Sequence, residues 1–196
     1  MAHYFSEDQD SPLRIENMTV RLKGMTFELF TGSGVFSKDK LDRGTEVFIE
    51  NMLIEDGWRV LDIGCAIGTV GIYVGKRWPS TKVVMTDVNK RAVMLAKKNV
   101  RRHGLLNQVK RSNLFENVEG KFNAILSNPP QHAGKDVCFE IIHKAPEFLE
   151  KRGVLQLVAR HNKGGATFEK EMEKTFGNVE TLAKKSGYRV YLSRKD

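Results

Sequence analysis

The sequence predicts a doubly wound α/β domain: a mostly parallel sheet with helices on both faces, a C-terminal antiparallel hairpin and a small N-terminal β appendage. Three observations predict it. From Arg59 onward, apolar runs of strand length alternate with longer amphipathic segments. Glycines at 64 and 68 punctuate the turn from the first core strand into the first core helix. The tail reads as two strands joined through the polar link Lys184 to Gly187. A length of 196 residues fits one domain. Residues 1–50 are taken as the appendage and 51–196 as the core of that single domain.

The elements follow in order. Met18 to Phe30 alternates apolar and polar residues (Val20, Leu22, Met25, Phe27, Leu29), which predicts a hairpin turning at Lys23 and Gly24. Thr31 to Ser37 is rich in Gly and Ser and carries Phe36. Asp42 is positioned to cap a helix over Thr45 to Leu53, with Glu46 in its first turn. Arg59 to Ile63 is the first core strand, followed by a helix over Gly68 to Arg77. Val83 to Thr86 is the next strand. Asn89 to His103 is an amphipathic helix with Ala92, Val93, Ala96 and Val100 on its apolar side. Phe122 to Ser127 is a strong strand, and Lys135 to Leu149 a helix stopped near Gly153. Val154 to Ala159 is a strand, Ala166 to Phe176 a helix, and the tail strands are Asn178 to Ala183 and Tyr188 to Ser193.

Charge narrows the choice of partners. There are 32 Lys and Arg against 24 Asp and Glu, a net charge of +8. Residues 1–56 hold 6 basic and 11 acidic groups, so the excess lies in the remaining 140. Between Val88 and Phe115 stand Lys90, Arg91, Lys97, Lys98, Arg101, Arg102, Lys110 and Arg111, with no acid among them. Such a field suits a polyanion or marks a solvated helix face. No window approaches 18 apolar residues, which excludes a helical membrane span, and the start is polar and acidic, so the expected location is the cytoplasm. Two cysteines, Cys65 and Cys138, can build neither a disulfide framework nor a four-thiolate metal site. They read as buried filler.

Two motifs carry chemistry. Asp62 to Gly68 (D-I-G-C-A-I-G) joins strand to helix, where glycines let the backbone approach a ligand and helix amides favour a carboxylate or phosphate. Its spacing is not that of a pyrophosphate loop, and it lacks the lysine of a P-loop. Asp87 follows 25 residues after Asp62 at the next strand end, where a carboxylate can take both hydroxyls of a ribose. The second motif is Asn128-Pro129-Pro130, at the carboxyl end of a strand, the edge where open α/β sheets bind ligands. Two prolines hold the Asn128 side chain and the Pro129 carbonyl in fixed directions. Those oxygens can accept both hydrogens of an amino group on a flat ring, aiming its nitrogen lone pair at an electrophile.

Together these residues resemble the Rossmann-like class I S-adenosylmethionine-dependent methyltransferases, in particular the amino-methylating group with an N-P-P motif. The likeness covers almost the whole chain. His3-Tyr4-Phe5-Ser6, Gly34-Val35-Phe36-Ser37, Asp42-Arg43-Gly44-Thr45, Asn128 to Lys135, Phe176 to Glu180 and Gly187-Tyr188-Arg189-Val190 are similar to RsmC-like ribosomal RNA guanine methyltransferases, with the nearest likeness to single-domain archaeal members. Bacterial relatives are expected to carry an extra N-terminal half.

The resemblance implies S-adenosylmethionine as cofactor, no metal, and RNA (ribosomal first, transfer RNA next) as partner. It implies that Asp62, Gly64, Ala66 and Gly68 line the methionine end, Asp87 the ribose, and Asn113 and Leu114 the adenine. Asn128, Pro129 and Pro130 would hold the amino group, with Phe36 and Thr45 closing over cofactor or base. Two departures stand out: Ala66 where the family usually has glycine, and Gln131 where many N-P-P enzymes have a stacking aromatic. His132, Phe36, Tyr4 or Phe5 would then supply the stacking. His161 with Lys163 follows a strand end on the ligand edge and reads as substrate contact or surface turn. The same N-P-P geometry also serves a protein glutamine amide or a DNA adenine, and a non-catalytic RNA-binding module keeps the same fold.

Overall fold

The computed structural model describes residues 12–36, 40–129 and 135–196. The appendage comprises β1 (Ile15–Leu22), β2 (Met25–Gly32) and α1 (Arg43–Asn51). Lys23 and Gly24 form the two-residue hairpin turn with φ of 45° and 76°, the left-handed pair that matches strand twist. The core continues with β3 (Arg59–Ile63), α2 (Thr69–Arg77), β4 (Lys82–Asp87), α3 (Lys90–Arg102), β5 (Gln108–Arg111) and β6 (Phe122–Ser127). It ends with α4 (Lys135–Phe148), β7 (Leu149–Arg160), α5 (Gly165–Phe176), β8 (Glu180–Lys185) and β9 (Tyr188–Arg194). The seven-stranded sheet has the order β5-β4-β3-β6-β7-β9-β8. Its first four pairings are parallel, and β9 pairs antiparallel with β7 and β8.

This is the expected mostly parallel sheet with a terminal hairpin, with two local differences. β5 was not foreseen: its four residues, Gln-Val-Lys-Arg, hold one apolar side chain, so no alternation marks this edge strand. The stop after α4 falls at Phe148, not near Gly153, and β7 starts at once. The pairing of β6 with β7 is irregular there: Arg152 has φ of 63°, and a Cβ on Gly153 would lie 2.9 Å from both the Phe122 and Glu150 carbonyls. Lys195 Nζ donates to the Pro146 and Leu149 carbonyls and so satisfies the end of α4.

The core lies on both sheet faces. On one, Ile72, Val74 and Leu95 from α2 and α3 pack with Phe48 of α1 and Leu29 of β2 in a single apolar cluster. On the other, Ile141 and Ile142 of α4 pack with Phe168 and Met172 of α5. The appendage thus shares the core of the sheet. Part of the basic run on α3 serves this docking. Arg102 pairs with Glu28, donates to Asn17 and lies 4.5 Å from the Phe30 ring. Lys97, Lys98 and Arg101 are exposed. Among the described residues, no helix is long and apolar enough to cross a membrane.

Candidate active site

Parallel strands β3, β4, β5, β6 and β7 all end on one edge of the sheet, and a cavity of about 390 Å³ opens there. One end is built by the loops after β3, β4 and β5. The main chain after β3 alternates left-handed residues, Gly64 at φ 70°, Ala66 at 48° and Gly68 at 90°. Gly64 and Cys65 donate to the Thr86 carbonyl at 2.8 and 2.9 Å, extending the β3–β4 pairing into the loop. Asp87 Oδ2 accepts from Ala66 N at 2.8 Å and its Oδ1 from Asn89 N at 2.8 Å. Each oxygen has a second lone pair, so the carboxylate can hold the loop and still accept from a ligand. Gly64, Ala66, Asp87, Asn113 and Leu114 all line the cavity.

Asp62 and Gly68 stand behind this loop, outside the main cavity. Asp62 is 2% exposed and accepts from Gly71 N at 3.0 Å. Burial pushes its carboxyl up to about 7, the neighbouring Asp87 charge adds to the rise, and the Gly71 N–H opposes it. It lines a narrow adjoining pocket that Thr45, Phe36 and Gly64 also touch. Gly68 starts α2, and a Cβ there would meet Ile72, Met85 and Ala96 at 3.3–3.4 Å, so it is required by packing and by its positive φ. Asp87 is raised by burial too, against the N–H groups of Asn89, Ala66 and Val88.

The other end lies over β6 and β7. Asn128 and Pro129 line it, whereas Pro130, Gln131 and His132 lie outside the described residues, as do Tyr4 and Phe5. Asn128 Nδ2 donates to Asp42 Oδ2 at 3.1 Å and to Thr45 Oγ1 at 2.9 Å. The same Asp42 oxygen accepts from Thr45 N at 2.8 Å and caps α1. A carboxylate can only accept, so it fixes which way the Asn128 amide faces: nitrogen toward α1, Oδ1 away from it. Thr45 therefore touches the site through Asn128 and the narrow pocket, and does not line the main cavity. Phe36 lines both.

Sequence reasoning assigns no site role to Asp42, Arg160 or Tyr188 at this end. Asp42 reads from the sequence as a helix cap within a family-like motif. Arg160, the last residue of β7, lines the cavity and its guanidinium lies 5.1 Å from the Tyr188 ring, which lines it too. Lys163 also lines the cavity, while His161 Nδ1 turns to the Tyr191 hydroxyl at 2.9 Å. The antiparallel β9 begins where β7 ends, which brings Tyr188 opposite Arg160; that pairing leaves no mark in a local motif. Both cysteines are buried, and burial raises Cys65 well above the usual thiol range and Cys138 up to about 12. Neither is a nucleophile in this setting.

Comparison with known proteins agrees with this geometry. The family model described as the methyltransferase small domain matches residues 26–192. YbxB of Bacillus subtilis, an uncharacterised protein, is 33% identical over 98% of this chain and 98% of its own length. Ribosomal RNA small subunit methyltransferase C of Haemophilus influenzae is 30% identical over 96% of this chain, which covers 58% of that protein. A solved 16S rRNA N2 methyltransferase (RsmC) of T. thermophilus, in complex with AdoMet and guanosine, has a TM-score of 0.82 at 25% identity, with 95% of this chain and 51% of that one covered. A methyltransferase from Pyrococcus furiosus shares the fold at TM-score 0.66 and 21% identity, covering 73% of this chain and 77% of its own. This chain thus spans nearly all of YbxB and little more than half of the RsmC proteins, so a bacterial relative also matches end to end without their additional length. A glycine turn before α2, an acid ending β4 and an Asn-Pro segment after β6 stand on one sheet edge in a chain matched from 26 to 192, and on these grounds the chain belongs to the methyltransferase small domain family.

Proposed function

We propose that this chain, acting as one methyltransferase domain, transfers a methyl group from S-adenosylmethionine to an exocyclic amino nitrogen of an RNA base. Guanine N2 in ribosomal RNA is the first choice and transfer RNA the next. The observation that carries the reading is the locked Asn128 amide, whose nitrogen is held by Asp42 and Thr45 so that its carbonyl oxygen is left to the cavity wall beside Pro129. An acceptor-only oxygen at that place suits an NH₂ substituent and suits a carbon or ribose-oxygen target poorly.

The residues present fit the cofactor. Asp87 can accept from ribose hydroxyls, Asn113 and Leu114 lie on the adenine side, and at Gly64 nothing stands within 4 Å of where a Cβ would be. Asp87 brings a carboxyl to the cavity wall at the glycine-loop end, and Asp62 stands behind the same loop. When bound, the cofactor supplies an electrophilic methyl on positively charged sulfur. The chain supplies position: Asn128 Oδ1 and the Pro129 carbonyl draw on the two N–H bonds, which turns the nitrogen lone pair out of the ring's conjugation and toward the methyl. After transfer the nitrogen loses a proton to water, and no base is required. The guanine assignment rests on likeness to a protein solved in complex with guanosine and named for N2 methylation.

Labelled-methyl transfer to undermodified ribosomal RNA, transfer RNA, DNA and protein fractions tests this reading, with the product nucleoside identified. Label on N2-methylguanosine is the expected result, falling steeply as ionic strength rises. Label confined to protein or DNA, or a methyl on carbon or ribose oxygen, refutes it.

A further inference from the structure

We propose that Arg160 and Lys163 form a phosphate-binding site for the RNA strand at the acceptor end of the cavity. This inference rests on the RNA methyltransferase reading and says where the strand is gripped. Both side chains line the cavity. Arg160 ends β7, which lies next to β6 and two strands from β3. At about 4.8 Å per strand, that sets the two cations beside the Asn128 loop and roughly 10 Å from the glycine loop. The cavity is therefore polarised, with Asp87 at the glycine-loop end and the two cations at the Asn128 end, where Asp42 is taken up by Thr45 and Asn128. A cationic cofactor and an anionic acceptor would sort themselves along that gradient.

Three further observations favour an anion here. Among the described residues, no carboxylate lies within ion-pair distance of Arg160 or Lys163, whereas nearby Arg43 and Arg189 are paired with Glu46 and Glu169. The Arg160 guanidinium rests on the Tyr188 ring, and backbone pairing fixes those two residues opposite each other, so the planar donor fork is held in place before any ligand arrives. Immediately after Lys163, Gly164 turns the chain at φ 107° and α5 begins with no side-chain cap, so its N-terminal amides add positive potential at the same sheet edge. Asp42 is the one carboxylate on this side of the cavity wall, and it is engaged by Thr45 N and Asn128 Nδ2.

The test uses the purified full chain with S-adenosylhomocysteine present and compares binding of guanosine, guanosine 5′- and 3′-monophosphate and a single-stranded RNA oligonucleotide. Wild type should bind at least one monophosphate about tenfold more tightly than guanosine. Arg160→Ala with Lys163→Ala should abolish that preference and leave guanosine and S-adenosylmethionine affinity within about twofold. The slope of log affinity against log salt for the oligonucleotide should fall by about one to two units. A double variant that keeps the preference overturns the proposal. So does one whose cofactor affinity falls in parallel, because the cations would then serve the methionine carboxylate. Methyl transfer separates the two levels of failure. If wild type methylates RNA and the double variant is its equal, the phosphate site is refuted and the function stands. If wild type methylates no RNA, the function falls and this site with it.

Discussion

Replacing Asp42 is the sharpest test of how the acceptor site is built. Asp42 Oδ2 receives Asn128 Nδ2 at 3.1 Å and Thr45 N at 2.8 Å, so one oxygen both orients the amide and caps α1. In Asp42→Ala, Thr45 Oγ1 remains beside Asn128 but can donate or accept, so the amide loses its enforced direction. A hydrogen bond to a charged group contributes about 1.5–3 kcal/mol. Losing it should lower turnover by roughly 10- to 150-fold. Cofactor affinity, read by calorimetry, should change less than about twofold, since Asp87 and the glycine loop are untouched. The lost cap costs about 1 kcal/mol, which is a fall in Tm of roughly 2–4 °C for a chain of this size. The two roles separate in Asp42→Ser: a hydroxyl still caps α1 and restores Tm, but it cannot force the amide, so turnover in the labelled-methyl assay should stay low. Full turnover in Asp42→Ser or in Asp42→Ala would show that Asp42 is a helix cap and nothing more.

Three further outcomes are expected. Asn128→Ala should cut turnover about a hundredfold or more while leaving cofactor affinity intact; parallel loss of both would make Asn128 a structural residue. Ala66→Val should weaken cofactor binding by tenfold or more, because a β-branched residue resists the φ of 48° found there, whereas Ala66→Gly should bind at least as tightly as wild type, both read by calorimetry. Asp62→Asn probes pH. A folded carboxyl raised from 3.8 to about 7 has its contribution to stability fully present below the lower value and lost as pH rises through the upper one. Thermal melts of the ligand-free chain should therefore show Asp62→Asn stabilising it at pH 8, by at most about 4 kcal/mol, and not at pH 4. An equal change at both pH values would rule out a buried, titrating Asp62.

What was legible in the sequence follows from how local each cause is. β3, β6 and the glycine loop announce themselves, because continuous apolar runs and Gly64 and Gly68 report burial and positive φ directly. Asp42 as a cap was legible for the same reason, since an N-cap is a contact over three residues. The edge strand β5 was not, because an edge buries little and Val109 alone gives no period. Asp87 was legible as the acid at a strand end, whereas Asn113 and Leu114 follow only from the family resemblance because β5 before them leaves no pattern; all three line the cavity. Arg160 and Tyr188 escaped because their pairing is set by the antiparallel register of β7 against β9, a property of the whole sheet. Gly68 shows the opposite limit: a motif position whose glycine is explained by packing against Met85 and Ala96, which spacing alone cannot distinguish from ligand contact.

Three asparagines explain why the appendage belongs to the site. Asn99, fully buried on α3, donates to the Phe30 and Ile67 carbonyls and accepts from Phe30 N, so it ties β2 to the glycine loop. Asn89 donates to the Gly34 carbonyl while its own N–H goes to Asp87 and its side-chain oxygen caps α3. Asn128 completes the set by meeting Asp42 and Thr45. Each amide reaches one of the loops that line the cavity, after β3, β4 and β6. The residue type suits the task, since an amide offers a donor and an acceptor together and can bridge two backbones that no strand pairing joins. Loosening the appendage would leave the buried amides of Asn89 and Asn99 short of a partner, at about 1–3 kcal/mol apiece, and would free the half-buried Asn128 amide to turn. The geometry of the Asn128 oxygen is therefore set as much by the folding of β2 and α1 as by the Asn128-Pro129 segment that carries it.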